Sequence, residues 1–160
     1  TGSGCIAISL ALELPNAAVI ASDVSAAALG VARANADRLG AKVRFVESDW
    51  CSAVTDRFDM IVANPPYVAP GDPHLSELRY EPQVALVASD SGLADLRRII
   101  SGARAHLARD GRLLVEHGYD QARAVREIFA AAEFDAIKTD RDVAGIERVS
   151  SGILRRPGER

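Results

Sequence analysis

The chain is short of the residues that build metal centres and disulfide frameworks. Its 160 residues include two cysteines, Cys5 and Cys51, and three scattered histidines, His74, His106 and His117. Neither cysteine has another Cys or His at ligand spacing, so no metal site is expected. A disulfide scaffold does not suit a core-rich domain of this size, and the thiols read as reduced, structural groups of a cytoplasmic protein. No apolar run approaches the roughly 18 residues that mark a membrane-spanning helix, so no membrane association is expected. Positive charge is not in excess either. Lys and Arg number 19 against 22 Asp and Glu, a formal charge of −3. That balance argues against a broad nucleic-acid surface. A Walker-type phosphate loop is also excluded, because no Lys-Ser or Lys-Thr pair follows the opening glycines.

What is present is an ordinary globule. The hydrophobic fraction is 48% and mean hydropathy is +0.03, which suits one domain with a sizeable core. A domain over residues 1–154 is expected, followed by a polar tail over 155–160. After "TGSG", the run "CIAISLALEL" keeps helical spacing up to Pro15. "AAVIAS" is a short strand ending at Asp23. "AAALGVARANADRLG" is a helix with Leu29, Ala32, Ala36 and Leu39 on one face and Gly40 as its stop. "KVRFVES" and "FDMIVA" are strands. From Pro65 to about Ser91 there is no sustained periodicity, and a long loop is expected. A helix then carries the stripe Leu93, Leu96, Ile99, Ile100, Ala103 and Leu107. A turn at Asp110-Gly111, the strand "RLLVEH", the helix "QARAVREIFAAA" and two closing strands, "FDAIKT" and "ERVSSGIL", complete the chain. The last two are separated only by a polar loop, so antiparallel pairing is expected. Alternating strands and helices predict an α/β fold with a mostly parallel, Rossmann-like sheet and an antiparallel C-terminal hairpin.

Ligands of such sheets bind beyond the carboxyl ends of the strands. Four strand ends carry the candidate chemistry. Gly2 and Gly4, with Thr1, precede a helix whose N-terminal N–H groups are free to meet a ligand; a plain tight turn is the simpler alternative. Asp23 follows about twenty residues later, at the spacing of a carboxylate that accepts from ribose hydroxyls. It could equally cap the next helix, with Ser25 as competitor. Asp49-Trp50 offers an acceptor for an adenine amino group and an aromatic cover for its ring, or else a loop acid and a core Trp. The fourth end, Asn64-Pro65-Pro66-Tyr67, is the most pointed. The Asn64 side-chain carbonyl and the Pro65 carbonyl can both accept from one substrate NH₂. Pro65 and Pro66 stiffen that pair, and Tyr67 supplies a flat face for a planar amide or base.

G-x-G, an acid after each of the next two strands, and N-P-P-Y after the following one resemble the class I S-adenosylmethionine-dependent methyltransferases. "TGSGCIAISLA", "NPPYV", "YEPQVAL", "SGLADLRRII" and "GRLLVEHG" are similar, in that order, to the release-factor glutamine methyltransferases. The resemblance covers nearly the whole chain. It implies methyl transfer from S-adenosyl-L-methionine, leaving S-adenosyl-L-homocysteine, to the glutamine amide of the Gly-Gly-Gln motif in peptide-chain release factors. By that resemblance Thr1, Gly2, Gly4, Asp23, Asp49, Trp50 and Asn64 would meet the cofactor. Asn64, Pro65, Pro66, Tyr67 and Glu81 would hold the substrate, and Asn64, Pro65 and Tyr67 would carry catalysis, with no residue assigned as a base. It also implies a first sheet strand ahead of Thr1. The rival readings are an amino-methyltransferase acting on adenine N6 or guanine N2, a nucleotide-binding dehydrogenase, and a non-catalytic cofactor-binding module. The dehydrogenase leaves N-P-P-Y idle. The acidic balance and "YEPQVAL" favour protein over nucleic acid as the direct substrate.

Overall fold

The computed structural model describes residues 1–67 and 92–155. The chain divides into two compact units, Thr1–Thr55 and Asp56–Arg160. The expected loop beyond Tyr67, with His74 and Glu81, lies outside the described residues, as does most of the expected tail.

The first unit runs α1 (Cys5–Glu13), β1 (Val19–Asp23), α2 (Ala26–Leu39) and β2 (Val43–Glu47). The strands are parallel, with Val19 opposite Val43 and Asp23 opposite Glu47. Parallel neighbours need a crossover, and α2 is that crossover, packed on both strands. Its limits follow from local chemistry. The Ser25 hydroxyl accepts from the Ala28 N–H at 3.2 Å, and Gly40 stops the helix in the left-handed region at φ 68. The helix cap therefore goes to Ser25. Leu29, Ala32 and Ala36 are buried as expected, whereas Leu39 is 48% exposed, because it sits in the last turn beyond the packed stripe.

The second unit runs β3 (Phe58–Ala63), α3 (Ala94–His106), β4 (Leu107–Glu116), α4 (Ala122–Ala131), β5 (Asp135–Arg141) and β6 (Glu147–Ile153). Its sheet has the order β3-β4-β6-β5. β3 and β4 are parallel, while β6 is antiparallel to both β4 and β5. The C-terminal hairpin is thus the expected one. The turn at Asp110-Gly111 is an irregularity inside β4: Asp110 has φ 57, and the register against β3 shifts there. The core stripe of α3 is buried at Leu96, Ile99, Ile100 and Ala103. On α4, the buried Val125 and Phe129 face β5 and β6, and Phe129 meets Phe134 edge to face at 5.2 Å. The fold is the α/β, Rossmann-like arrangement expected, with parallel pairs in both sheets. No helix among the described residues is long and apolar enough to cross a membrane.

The opening glycines are needed for different reasons. Both have positive φ, 56 for Gly2 and 85 for Gly4, so any side chain there is strained. A Cβ on Gly4 would also lie 3.0 Å from Ala32 Cβ and from Ile8 Cδ1, where α1 leaves the turn against α2. Among the described residues nothing lies within 4 Å of a Cβ on Gly2. Gly4→Ala should therefore destabilise by about 2–3 kcal/mol and Gly2→Ala by about 1 kcal/mol, as strain plus overpacking against strain alone. Urea unfolding of the two variants tests that order.

Candidate active site

In the first unit, the glycine turn is held from the end of β1. Asp23 Oδ2 accepts from the Gly2 N–H at 2.8 Å and from the Thr1 amino group at 2.9 Å, and Oδ1 accepts from the Ser25 N–H at 2.9 Å. From α2, Asn35 donates to the Ser3 carbonyl at 3.0 Å. Burial raises the Asp23 pKa, and the hydrogen bonds from the Gly2 and Ser25 N–H groups lower it. A carboxylate offers about four acceptor positions. With three used, one position remains on Oδ1, while Gly2 keeps an open, exposed face.

The end of β2 is a tight turn. Ser48 is buried, its N–H donates to the Asp23 carbonyl at 3.0 Å, and its hydroxyl accepts from the Ala53 N–H at 2.9 Å. Asp49 is exposed. Trp50 is held at φ 54, a conformation that costs a non-glycine residue about 1 kcal/mol or more. Its indole Nε1 is buried with no hydrogen-bond partner. Among the described residues nothing accepts from it, and such an orphaned donor is uncommon in a folded protein. Nearby, the Cys51 thiol is pushed up by burial, which makes it a structural group and not a nucleophile.

In the second unit, N-P-P-Y leaves the end of β3. Asn64 is exposed, Pro65 buried, and Pro66 and Tyr67 half-buried. Tyr67 is gripped at both ends. Its hydroxyl donates to Glu116 Oε1 at 3.2 Å and accepts from Arg148 Nη2 at 3.1 Å, while the Arg148–Glu116 pair stands at 3.9 Å. The guanidinium also lies over the phenol ring, 5.4 Å from its centroid. One face of the ring is therefore taken. The Tyr67 carbonyl accepts from Gln121 Nε2 at 3.0 Å. Burial, then the Glu116 charge, raise the Tyr67 pKa against the opposing Arg148. The group stays a neutral phenol: a wall, not a base.

Behind this clamp lies a polar chain. His117 is fully buried at the end of β4. Its Nδ1 lies 2.9 Å from the Gly118 carbonyl and its Nε2 2.9 Å from the Ser150 hydroxyl. A carbonyl can only accept, so Nδ1 carries the proton; in the neutral ring Nε2 then accepts from Ser150. The Ser150 oxygen lies 2.9 Å from that of Thr139, to which Arg126 donates at 3.0 Å. Burial lowers the His117 pKa, Arg148 and Arg126 lower it further, and the Gly118 bond and Glu147 oppose.

Comparisons with known proteins show what the chain is similar to. The methyltransferase small domain family matches residues 1–78. The release factor glutamine methyltransferase of Bordetella pertussis is 51% identical over 96% of the chain, and that of Burkholderia pseudomallei 50% over 96%. Over nearly its whole length the chain is similar to proteins named release factor glutamine methyltransferases. It spans 58% of the length of both relatives. Among solved structures, a methyltransferase from Pyrococcus furiosus superposes with a TM-score of 0.74 at 20% identity, covering 98% of this chain and 72% of that one. TrmN from Thermus thermophilus gives 0.62 at 25% identity, covering 96% and 42%. These likenesses establish the fold.

The structure brings Thr1, Gly2, Gly4 and Asp23 together in one unit and ties Asn64, Pro65, Pro66 and Tyr67 into one turn in the other. Glu81 lies outside the described residues, which among themselves hold no group able to bind a metal ion. Sequence reasoning missed Glu116, His117, Gln121 and Arg148. The strand-end rule that found the other four positions also covers "RLLVEH", so Glu116 and His117 were within its reach. Arg148 carries no local signal; it reaches Glu116 only because β6 pairs antiparallel with β4.

His117 gives this unit an acid sensitivity. Its ordinary pKa near 6.5 holds in the unfolded chain and is lowered on folding. Below about 6.5 the unfolded state takes up a proton that the native state refuses, so stability is full above that pH and is lost as pH falls towards the folded value. The slope is at most about 1.4 kcal/mol per pH unit. Between pH 7 and 5.5, denaturant midpoints should fall for the wild type and stay flatter for His117→Asn.

Proposed function

We propose that residues 1–154 form the S-adenosyl-L-methionine-dependent domain of a cytoplasmic enzyme that methylates a release-factor glutamine. The acceptor is the side-chain amide nitrogen of the Gly-Gly-Gln motif in peptide-chain release factors. One observation carries the reaction class: an exposed Asn64 carboxamide on a turn of donor-free backbone, beside a Tyr67 clamped at both ends. The printed names of the relatives support the substrate.

The residues of the first unit suit the cofactor. Gly2 keeps an open face, Asp23 Oδ1 has one position left for a ribose hydroxyl, and Trp50 brings an indole N–H in need of an acceptor. Asp49 would accept from the adenine amino group, and the Trp50 ring would lie against the base. When bound, S-adenosyl-L-methionine supplies a methyl already activated on sulfonium. The enzyme therefore needs alignment more than acid–base help.

An amide nitrogen is a poor nucleophile because its lone pair is delocalised into the carbonyl. The Asn64 side-chain carbonyl and the Pro65 carbonyl would accept its two N–H bonds, fixing the nitrogen and turning its electron density outward. Pro66 keeps the two acceptors at a set spacing, and the face of Tyr67 opposite Arg148 packs on the amide plane. Glu116 is engaged by Tyr67 and Arg148, and no residue is assigned as a base.

The full-length protein, given methyl-labelled S-adenosyl-L-methionine with release factor, tRNA, rRNA and DNA in parallel, should label the release factor. Label confined to nucleic acid would overturn the reading. Asn64→Ala should lower kcat at least about 100-fold, the scale for losing one preorganised contact to a reacting group. Calorimetry with S-adenosyl-L-homocysteine should show affinity within about twofold of wild type, since that contact is made to the acceptor. Undiminished turnover in this variant would refute the role of Asn64.

A further inference from the structure

One buried side chain outside the acceptor turn is bonded to the turn's backbone. Gln121 is 8% exposed and stands at the N-cap of α4. Its Oε1 accepts from the Gly118 N–H at 2.8 Å. A backbone N–H only donates, so the amide orientation is fixed by chemistry: the NH₂ must point the other way, where it donates to the Tyr67 carbonyl at 3.0 Å. Gly118 is itself anchored. Its carbonyl takes the His117 Nδ1 proton at 2.9 Å and the Gln121 N–H at 3.1 Å, and the His117 N–H extends the β4–β6 ladder to the Arg148 carbonyl at 2.9 Å. The far end of the latch therefore lies one residue beyond the last bond of the ladder.

Gly92 shows how closely the latch is built. It has φ 81, and a Cβ there would collide with the Tyr67 carbonyl oxygen and come within 2.5 Å of Gln121 Nε2. Only glycine lets the chain pass the bond. The latch also acts where the turn cannot help itself. Pro65 and Pro66 have no N–H to donate and have locked φ, so few soft torsions separate the Tyr67 carbonyl from that of Pro65. The Tyr67 carbonyl follows that of Pro65 by two residues, with the Pro66 φ locked between them, so a bond that fixes the first restrains the second.

We infer that Gln121 is the positioning residue of the N-P-P-Y turn, tying the Tyr67 carbonyl to the Gly118 backbone just beyond β4 and so setting the aim of the Pro65 and Asn64 acceptors. The inference rests on the methyl-transfer reading above. It is distinct from the grip on the Tyr67 hydroxyl, which orients the ring and not the backbone.

Two variants of the full-length protein test it. Gln121→Met keeps the shape and loses the hydrogen bonds to Gly118 and Tyr67. Gln121→Glu keeps an acceptor for Gly118 but sets a carboxylate oxygen against the Tyr67 carbonyl. Both should lower kcat about tenfold or more, Glu at least as much as Met, with the KM for release factor and the affinity for S-adenosyl-L-methionine within about threefold. Hydrogen exchange at the Gly118 amide, measured without substrate, should quicken in Gln121→Met and stay slow in Gln121→Glu. Unchanged exchange in Gln121→Met would refute the latch. Quickened exchange with undiminished kcat would refute its link to catalysis. Loss of cofactor affinity and melting temperature in step with kcat, in both variants, would reduce Gln121 to a structural residue and overturn the inference. A wild type that transfers no methyl to release factor defeats the functional reading, while the exchange result still decides the latch.

Discussion

A turn that contains two successive prolines cannot hold itself in place. Pro65 and Pro66 bring rigidity but no donor, so the backbone between Asn64 and Tyr67 is stiff and yet poorly attached. Its position has to be imposed from outside, and the second unit does so at Tyr67. The hydroxyl is held by Glu116 of β4 and Arg148 of β6, and the carbonyl by Gln121. Two of these three are themselves anchored by the antiparallel β4–β6 ladder or its extension at His117. The C-terminal hairpin, which looks remote from the chemistry in sequence, is what gives the turn its fixed address.

The first unit follows the same logic with different residues. A glycine turn is flexible where a proline turn is stiff, and it too is held by a side chain from a neighbouring strand end. Asp23 takes the Gly2 N–H, while Asn35 of α2 takes the Ser3 carbonyl. Holding such loops before any ligand arrives removes part of the ordering cost of binding. For a reaction whose donor is already activated and whose nucleophile is weak, that prior alignment is the main contribution a protein can make. The neutral Tyr67 fits this picture, since it serves as a surface and has no proton to exchange in the working pH range.

Much of this was legible in the sequence, for identifiable reasons. Period and punctuation marked every element: Pro15 after α1, Ser25 and Gly40 around α2, and the polar loop between β5 and β6. Chemistry at strand ends marked Gly2, Asp23 and the N-P-P-Y turn. What stayed hidden depended on contacts between distant positions. The spacing of Asp23 from the glycines pointed to ribose, and nothing local told that its carboxylate also holds the Gly2 N–H and the Ser25 N–H at the start of α2. The strain and the orphaned indole at Trp50 are conformational facts with no compositional trace. Arg148 and Gln121 become visible only once register and turn geometry put them against Tyr67, from 81 and 54 residues away.

The central claim is that two fixed acceptors, Asn64 and the Pro65 carbonyl, bind one amide NH₂. A crystal structure of the full-length protein with S-adenosyl-L-homocysteine and a Gly-Gly-Gln peptide tests it most directly. The glutamine nitrogen is predicted to lie about 2.9 Å from both oxygens, with its amide plane on the face of Tyr67 opposite Arg148. A glutamine bound with its carbonyl oxygen towards that pair, or held by other residues altogether, would contradict the account.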